Sequence, residues 1–410
     1  MINLYIFDIK TSRSSVFGIG TYINQLETSL KHVNFHVCFV HLNSNTQRFS
    51  QEAEDGVFHW YIPFPKNKYK DEEKHNNFYL QNVIFIIRQY IQPTENLVFH
   101  INFFKCQTFV DALKQSFNCS IVISVHFFSW CFDIFGNVSR LQKTICKSDT
   151  QLDQLGKTIK KSFNDEKELF FSVDQVLCLS KHTSTILQKI YQVKKQRISV
   201  IYNGLKDKLE IKPDKDLIRR KYHLPVEMPV IIFAGRLDPV KGLSYFIQAS
   251  KIVIDHFPNC HVVIAGSGDY DACMKECGNR WMNIHFTGML GKTELYELYS
   301  IADFGVMPSF HEQCSYVAIE MMMYGLPIIG STSTGLKEMI IDGETGLHFP
   351  VIEYDDRVEI DSSILSEKML YLLQNKHVRQ RIGINARQRY EQLYSLEVMR
   401  KNMLQFYTSL

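Results

Sequence analysis

Glu312 and Glu320 stand in the segment MPSFHEQCSYVAIEMMMYGLP, Met307 to Pro327, with seven residues between them. Ile301 to Pro308 reads as a short buried strand, HEQCS as a loop, and Tyr316 to Tyr324 as a helix that Gly325 ends. Glu312 therefore lies at a strand-to-helix switch, just ahead of the backbone amides of Ser315, Tyr316 and Val317. Amides at a helix start have no helical acceptor and form an anion site. Glu320 falls inside the helix among Val317, Ile319 and three methionines, where a carboxylate needs a partner or a path to water. A ligand carrying both phosphate and hydroxyl groups would satisfy both acids. A loop acid and a helix acid that simply face water account for the same letters, so the flanking sequence has to decide.

GRLDPVKG, Gly235 to Gly242, places Arg236 and Lys241 directly after the strand VIIFAG. Ligands of open α/β sheets bind at the carboxyl ends of strands, and two cations there suit a polyphosphate. FGIG puts Gly18 and Gly20 between the first strand and the first helix, where a backbone without side chains lets a phosphate or sugar approach. A tight turn uses the same two glycines. His126 ends the strand IVISVH, again at a carboxyl end that is expected to face the other domain across a cleft. Asp214-Lys215-Asp216 has the acid, any residue, acid pattern of a metal pair but lies away from every strand end, and reads as a solvated charge run. No metal is expected, so side chains and amides have to neutralise a bound diphosphate.

Positioning these residues takes two sheets. In the first half the strand-like runs are LYIFDI, FHVCFV, VFHWYI, LVFHI, IVISVH, QVLCLS and ISVIY, separated by helix-like stretches such as Phe78 to Ile91 and His182 to Gln192. Ile19, Ile23, Leu26 and Leu30 trace one helical face. Polar sequence from Lys206 to Lys221, followed by Pro225 and Pro229, then breaks the pattern. HVVIAG, NIHFTG, DFGVMP and LPIIG repeat the logic beyond it, with helices at Leu243 to His256 and Thr293 to Ala302. Alternation of this kind predicts an α/β chain with two Rossmann-like, doubly wound parallel sheets. The expected domains are residues 1–205, joined by a C-terminal helix within 394–410, and residues 206–393.

Composition agrees with a two-domain globular chain: 410 residues, 45% hydrophobic and 22% charged. A net charge of +3 is too small to argue for nucleic acid or for more than peripheral membrane contact. MINLYIFDIK lacks the features of a signal peptide, and no apolar run approaches the roughly 18 residues of a membrane helix, so a cytoplasmic location is expected. The ten cysteines have no paired spacing and read as reduced; Cys273 and Cys277 share a helix face without a second pair that could complete a metal site.

In order, FGIG, His126, VIYNG (Val200 to Gly204), GRLDPVKG, VVIAGSGD, FTG, the two glutamates, GLP and IDGETG resemble the retaining glycosyltransferases of family 4, which have the GT-B fold. The resemblance implies two Rossmann-like domains facing each other across a cleft, with the last helix returning to the first domain. It implies that Arg236, Lys241, Gly18 and Gly20 meet the donor diphosphate and that Glu312 contacts the donor sugar. Gln313, Cys314 and Ser315 would supply amides to the sugar, Tyr316 and Val317 amides to phosphate, Glu320 would bind ribose, and His126 would lie near the reaction centre. No cofactor is implied beyond the nucleoside diphosphate sugar, a UDP-sugar foremost, and the acceptor is a glycan, a lipid-linked sugar or a peptide.

Two departures from the family pattern matter. Phe127, Phe128, Ser129 and Trp130 follow His126 where an Asp is common, which implies an aromatic sugar or acceptor pocket. Gln313-Cys314-Ser315 replaces the common Pro-Phe-Gly, and this loop resembles a smaller bacterial group associated with modification of ribosomally made peptides. A non-catalytic GT-B subunit that assists a partner transferase, or a nucleotide-sugar epimerase, would share the architecture. A dehydrogenase fits least, because neither sheet carries a full dinucleotide glycine fingerprint.

Overall fold

A computed structural model describes residues 1–9, 18–64, 72–92, 96–102, 106–209 and 214–410. They form two compact units: Met1–Ser129 with Thr144–Gly204 and Leu396–Leu410, and Trp130–Lys143 with Leu205–Ser395.

In the first unit, strands β1 (Ile2–Ile9), β2 (Phe35–Ser44), β3 (Ser50–Glu54), β4 (Val57–Pro63), β5 (Leu97–Asn102), β6 (Ser120–Val125), β7 (Gln175–Cys178) and β8 (Ile198–Val200) make one sheet. Their order is β3-β4-β2-β1-β5-β6-β7-β8, parallel except where β3 meets β4. β5 and β6 are apolar almost throughout because helices cover both faces of the sheet. β3, SQEAE, lacks apolar alternation and escapes a sequence reading; it is a polar edge strand, which discourages pairing with another chain. The order turns back at β1, so the crevice between β1 and β5 is where a doubly wound sheet receives a ligand. The C-terminal helix Leu396–Thr408 belongs to this unit, and its Arg400 donates to the carbonyls of Ser29 and Lys31 at 2.7 and 3.0 Å.

In the second unit, β9 (Val230–Ala234), β10 (His261–Ala265), β11 (Ile284–Gly288), β12 (Phe304–Met307), β13 (Ile328–Ser331) and β14 (Gly346–Phe349) are all parallel, in the order β11-β10-β9-β12-β13-β14. Ile231, Phe233, Val262, Ile264, Val306 and Ile329 build its core, each wholly or almost wholly buried. Burial of one such side chain contributes roughly 1.5 to 3 kcal/mol. Here the order turns back between β9 and β12, which are the strands that lead into GRLDPVKG and PSFHEQCS. β14 and the hairpin Val351–Glu353 with Val358–Ile360 are further elements too short to stand out in the sequence.

Several expectations are corrected. Trp130–Lys143, first-domain by sequence order, packs within the second unit, where Asn137 donates to the Tyr354 carbonyl at 2.9 Å and Phe135 meets Phe310 edge-on. Phe128 and Trp130 do not line a pocket: both are fully buried, and Phe128 stacks on Tyr191 with ring centroids 5.1 Å apart. Asp214, Lys215 and Asp216 are exposed, as a solvated charge run should be, and Asp214 in addition caps the helix Lys215–Lys221 by accepting from the amides of Asp216 and Leu217. The last helix spans Leu396–Thr408, inside the expected 394–410, after a π turn at Tyr390–Tyr394. Among the described residues, no helix is long and apolar enough to cross a membrane.

Candidate active site

At the switch point of the second unit, the loop after β9 is fixed by Asp238. One carboxylate oxygen accepts from the Lys241 amide at 3.2 Å, and the other pairs with the Arg236 guanidinium at 2.9 Å. Asp238 thus sets both cations through one side chain. Gly242 follows with φ +65°, and a Cβ there would lie 2.0 Å from the Pro308 carbonyl oxygen, so only glycine lets this loop seat on the loop after β12. The Phe310 amide completes the joint by donating to the Val240 carbonyl at 2.8 Å.

Glu312 sits at this joint. Its carboxylate accepts from Lys241 Nζ at 2.6 Å and from Ser309 Oγ at 3.0 Å, with only 12% of the side chain exposed. Its backbone is held as well, the amide donating to Thr334 Oγ1 at 2.9 Å and the carbonyl accepting from the Gly335 amide at 2.8 Å. Gly335 is required there, since a Cβ would meet the Gln313 carbonyl oxygen at 1.8 Å. Ser309, Thr334 and Asp238 are members of the site that the sequence reading missed. Hydroxyl groups beside a strand end carry too little signal of their own.

Gln313, Cys314 and Ser315 are buried and lead into the helix Tyr316–Met323. Ser315 occupies the N-cap position without a capping bond from its hydroxyl, and its amide meets Met339 Sδ at 3.2 Å. With the Ser315 amide turned to Met339, the expected anion site draws on Tyr316 and Val317 in the first turn of the helix. One turn further, Glu320 is 0% exposed, so the water-facing alternative is excluded. Lys292 Nζ pairs with its carboxylate and Tyr299 OH stands 3.5 Å away. Burial pushes the Glu320 pKa upward and Lys292 pulls it back. Nothing in the sequence links Lys292 to Glu320, because the two lie on different helices.

Gly18, Gly20 and His126 belong to the first unit. Both glycines fall in the first turn of the helix Gly18–Leu30 rather than ahead of it; residues 10–17 lie outside the described residues. Tyr22, in the same helix, brings this region to His126, edge-to-face with ring centroids 4.5 Å apart. His126 follows β6, half-buried, with Nε2 3.4 Å from Asn102 Oδ1 at the end of β5. Beneath it runs a neutral chain: Tyr22 OH lies 3.5 Å from Ser124 Oγ, Ser124 Oγ 2.7 Å from His100 Nε2, and His100 Nδ1 2.6 Å from Tyr407 OH in the C-terminal helix. Complete burial, aided by His126, lowers the His100 pKa to about 3, so this ring stays neutral near pH 7.

Residues 214–389 match the family model described as Glycosyl transferases group 1, and residues 16–208 match Glycosyltransferase Family 4. An uncharacterized glycosyltransferase from Methanocaldococcus jannaschii is 33% identical over 40% of this chain and 44% of its own length. A D-inositol 3-phosphate glycosyltransferase from Corynebacterium glutamicum is 31% identical over 44% of this chain and 46% of its own. The chain thus spans less than half the length of these curated relatives. The fold is similar over 100% of the chain to a sucrose-phosphate synthase from Thermosynechococcus elongatus, with a TM-score of 0.75, 21% identity and 99% of that structure covered. It is likewise similar to Anabaena HepE in complex with UDP, with a TM-score of 0.68, 14% identity and 100% of each chain covered. With the two models matching successive halves and both units built as parallel Rossmann-like sheets, the chain belongs to the GT-B glycosyltransferases of family 4.

Proposed function

We propose that the chain transfers a sugar from a nucleoside diphosphate sugar, a UDP-sugar foremost, to an acceptor hydroxyl on a glycan, a lipid-linked sugar or a peptide. One observation carries this reading: Arg236, Lys241, Glu312 and the start of the Tyr316 helix converge at the switch point of the second sheet. Two cations and the amides of a helix's first turn fit a diphosphate, and a carboxylate at the same place fits sugar hydroxyls.

In the reaction, the bond from the anomeric carbon to the diphosphate breaks while the acceptor oxygen bonds to that carbon. Its proton passes to the departing diphosphate, which makes a protein nucleophile unnecessary and lets attack occur on the same face, with retention. Arg236, Lys241 and the Tyr316 and Val317 amides stabilise the charge that grows on the leaving phosphate. Preorganised groups of this kind are worth several kcal/mol where water is excluded. Glu312 orients the sugar, and Glu320 holds the ribose. For His126 we retain the role that the resemblance implies, orientation at the reaction centre. Because Arg236 and Lys241 supply the positive charge, the reading needs no metal.

The test is incubation with a panel of nucleotide sugars in EDTA, reading nucleotide release and the anomeric configuration of the sugar by NMR. Release in chelator with the α-configuration kept is expected from an α-linked donor. Inversion, or activity that appears only on adding manganese, would contradict the mechanism. Epimerisation of the donor without release would replace the transferase by the epimerase, and nucleotide binding without turnover on any donor would leave a non-catalytic subunit.

A further inference from the structure

The buried acid of the second unit poses a problem of access. Glu320 is 0% exposed, yet a ribose has to reach it if the reading above is right. Of the groups around its carboxylate, Tyr299 is itself buried in the helix Lys292–Ile301, and Tyr296 and Tyr324 pack with it as an aromatic cluster, centroids 5.4 to 6.3 Å apart. Lys292 differs. It sits at the first position of its helix, its side chain is 53% exposed, and only its ammonium group turns in to Glu320. A lysine with its stem in water and its head on a buried acid can withdraw at small cost in packing.

We infer that Lys292 is a positioning residue for the donor: it keeps Glu320 an ionised acceptor of hydrogen bonds, and it gives way to, or shares the carboxylate with, the two ribose hydroxyls. The inference rests on the ribose role proposed for Glu320. A carboxylate can accept from both hydroxyls of a diol, whereas a carboxylic acid has one oxygen committed as a donor. Burial alone drives this acid towards its protonated form, and Lys292 is the positive charge set against that tendency. The other groups do not replace it. Tyr296, Tyr299 and Tyr324 all have raised pKa values and stay neutral, and Tyr390 from the π turn adds another phenol. On the helix Lys376–Arg389, which packs on the Glu320 helix, Arg387 is committed to Asp207 and to the Met323 carbonyl at 2.7 Å.

The sign of the pH effect follows. Without Lys292 the Glu320 pKa rises further, so the acid is protonated over more of the neutral range. Ribose affinity then falls on the acid side and returns as pH rises through the new pKa.

The test is calorimetric titration of UDP from about pH 6 to about pH 9 into the wild type, Lys292→Met, Lys292→Gln and Lys292→Arg, with 2′-deoxy- and 3′-deoxy-UDP against the wild type. Lys292→Met and Lys292→Gln should bind UDP about tenfold more weakly for each unit by which the pH lies below the new Glu320 pKa, and recover in alkali. Lys292→Arg should track the wild type. Equal or tighter UDP binding by both uncharged variants at every pH, with deoxy-UDP still discriminated, would overturn the role of Lys292 alone. Failure of the wild type to discriminate UDP from both deoxy forms would overturn the ribose reading and this inference with it.

Discussion

The two sheets end in chemically opposite sites. At the β9/β12 switch of the second unit, cations and carboxylates are fixed in pairs, Arg236 with Asp238 and Lys241 with Glu312, and two glycines let the loops interlock at backbone distance. At the β5/β6 ends of the first unit, His126 rests on an aromatic ring and an amide above a hydrogen-bonded chain that burial keeps neutral. Holding charges at close range requires rigid loops, because each charge has to keep its partner until a ligand arrives. A neutral site tolerates a hydrogen-bonded chain that reaches as far as the C-terminal helix. Under the function proposed above, the second unit would hold the charged donor and the first unit would serve an uncharged hydroxyl acceptor.

The strongest way to break the second site without touching a charge is Gly242→Val. Its side chain would displace Pro308 in a left-handed backbone, so stability should fall by roughly 2 to 4 kcal/mol and UDP binding should vanish. Denaturant unfolding and calorimetry read the two effects; a stable variant with intact binding would show that the loops need not interlock.

The two acids sharpen the comparison within the second unit. Glu312→Gln should chiefly lower kcat, since the sugar changes charge during transfer, while Glu320→Gln should chiefly raise the donor KM, by about tenfold for each 1.4 kcal/mol lost. Both substitutions keep the side-chain volume. Steady-state kinetics showing the reverse assignment would exchange sugar and ribose between the two sites.

The first unit is probed by acid. His100 titrates near 6.5 when unfolded but at about 3 when folded, so below about pH 6.5 the unfolded state binds the additional proton. Its contribution to stability is complete above that pH and is lost as pH falls towards 3, with a slope of at most about 1.4 kcal/mol per pH unit. His100→Gln should flatten this part of the urea-unfolding profile between about pH 6.5 and about pH 4. An unchanged slope would show that the chain under His126 is not held neutral. The smallest effect is expected of Asp214→Ala, which loses a helix cap worth about 1 kcal/mol and should leave UDP binding alone. Weakened binding in that variant would return Asp214 to the site.

Legibility in the sequence follows the same division. The helix Leu243–His256 and the strands β9, β10 and β12 could be read because their apolar runs are long and bounded by glycine or proline. Arg236, Lys241, Glu312 and Glu320 could be placed because each stands at a fixed offset from such a run. Lys292, Ser309 and Thr334 could not, since their contacts join segments that no local pattern links. The same limit hid the polar edge strand β3 and the assignment of Trp130–Lys143 to the second unit. It also left Phe128 and Trp130 open to misreading: an aromatic run beside a histidine looks alike whether it lines a pocket or fills a core, and only packing against Tyr191 and Phe170 separates the two for Phe128.

The central claim, that the charged switch point of the second unit holds a nucleoside diphosphate, is met most directly by titrating UDP into the wild type, Arg236→Ala and Lys241→Ala by calorimetry. Each charge-assisted contact contributes about 1.5 to 3 kcal/mol, so each variant should bind UDP roughly tenfold to a hundredfold more weakly while unfolding at nearly the wild-type temperature. UDP affinity unchanged in both variants would contradict the claim and remove the donor from this loop.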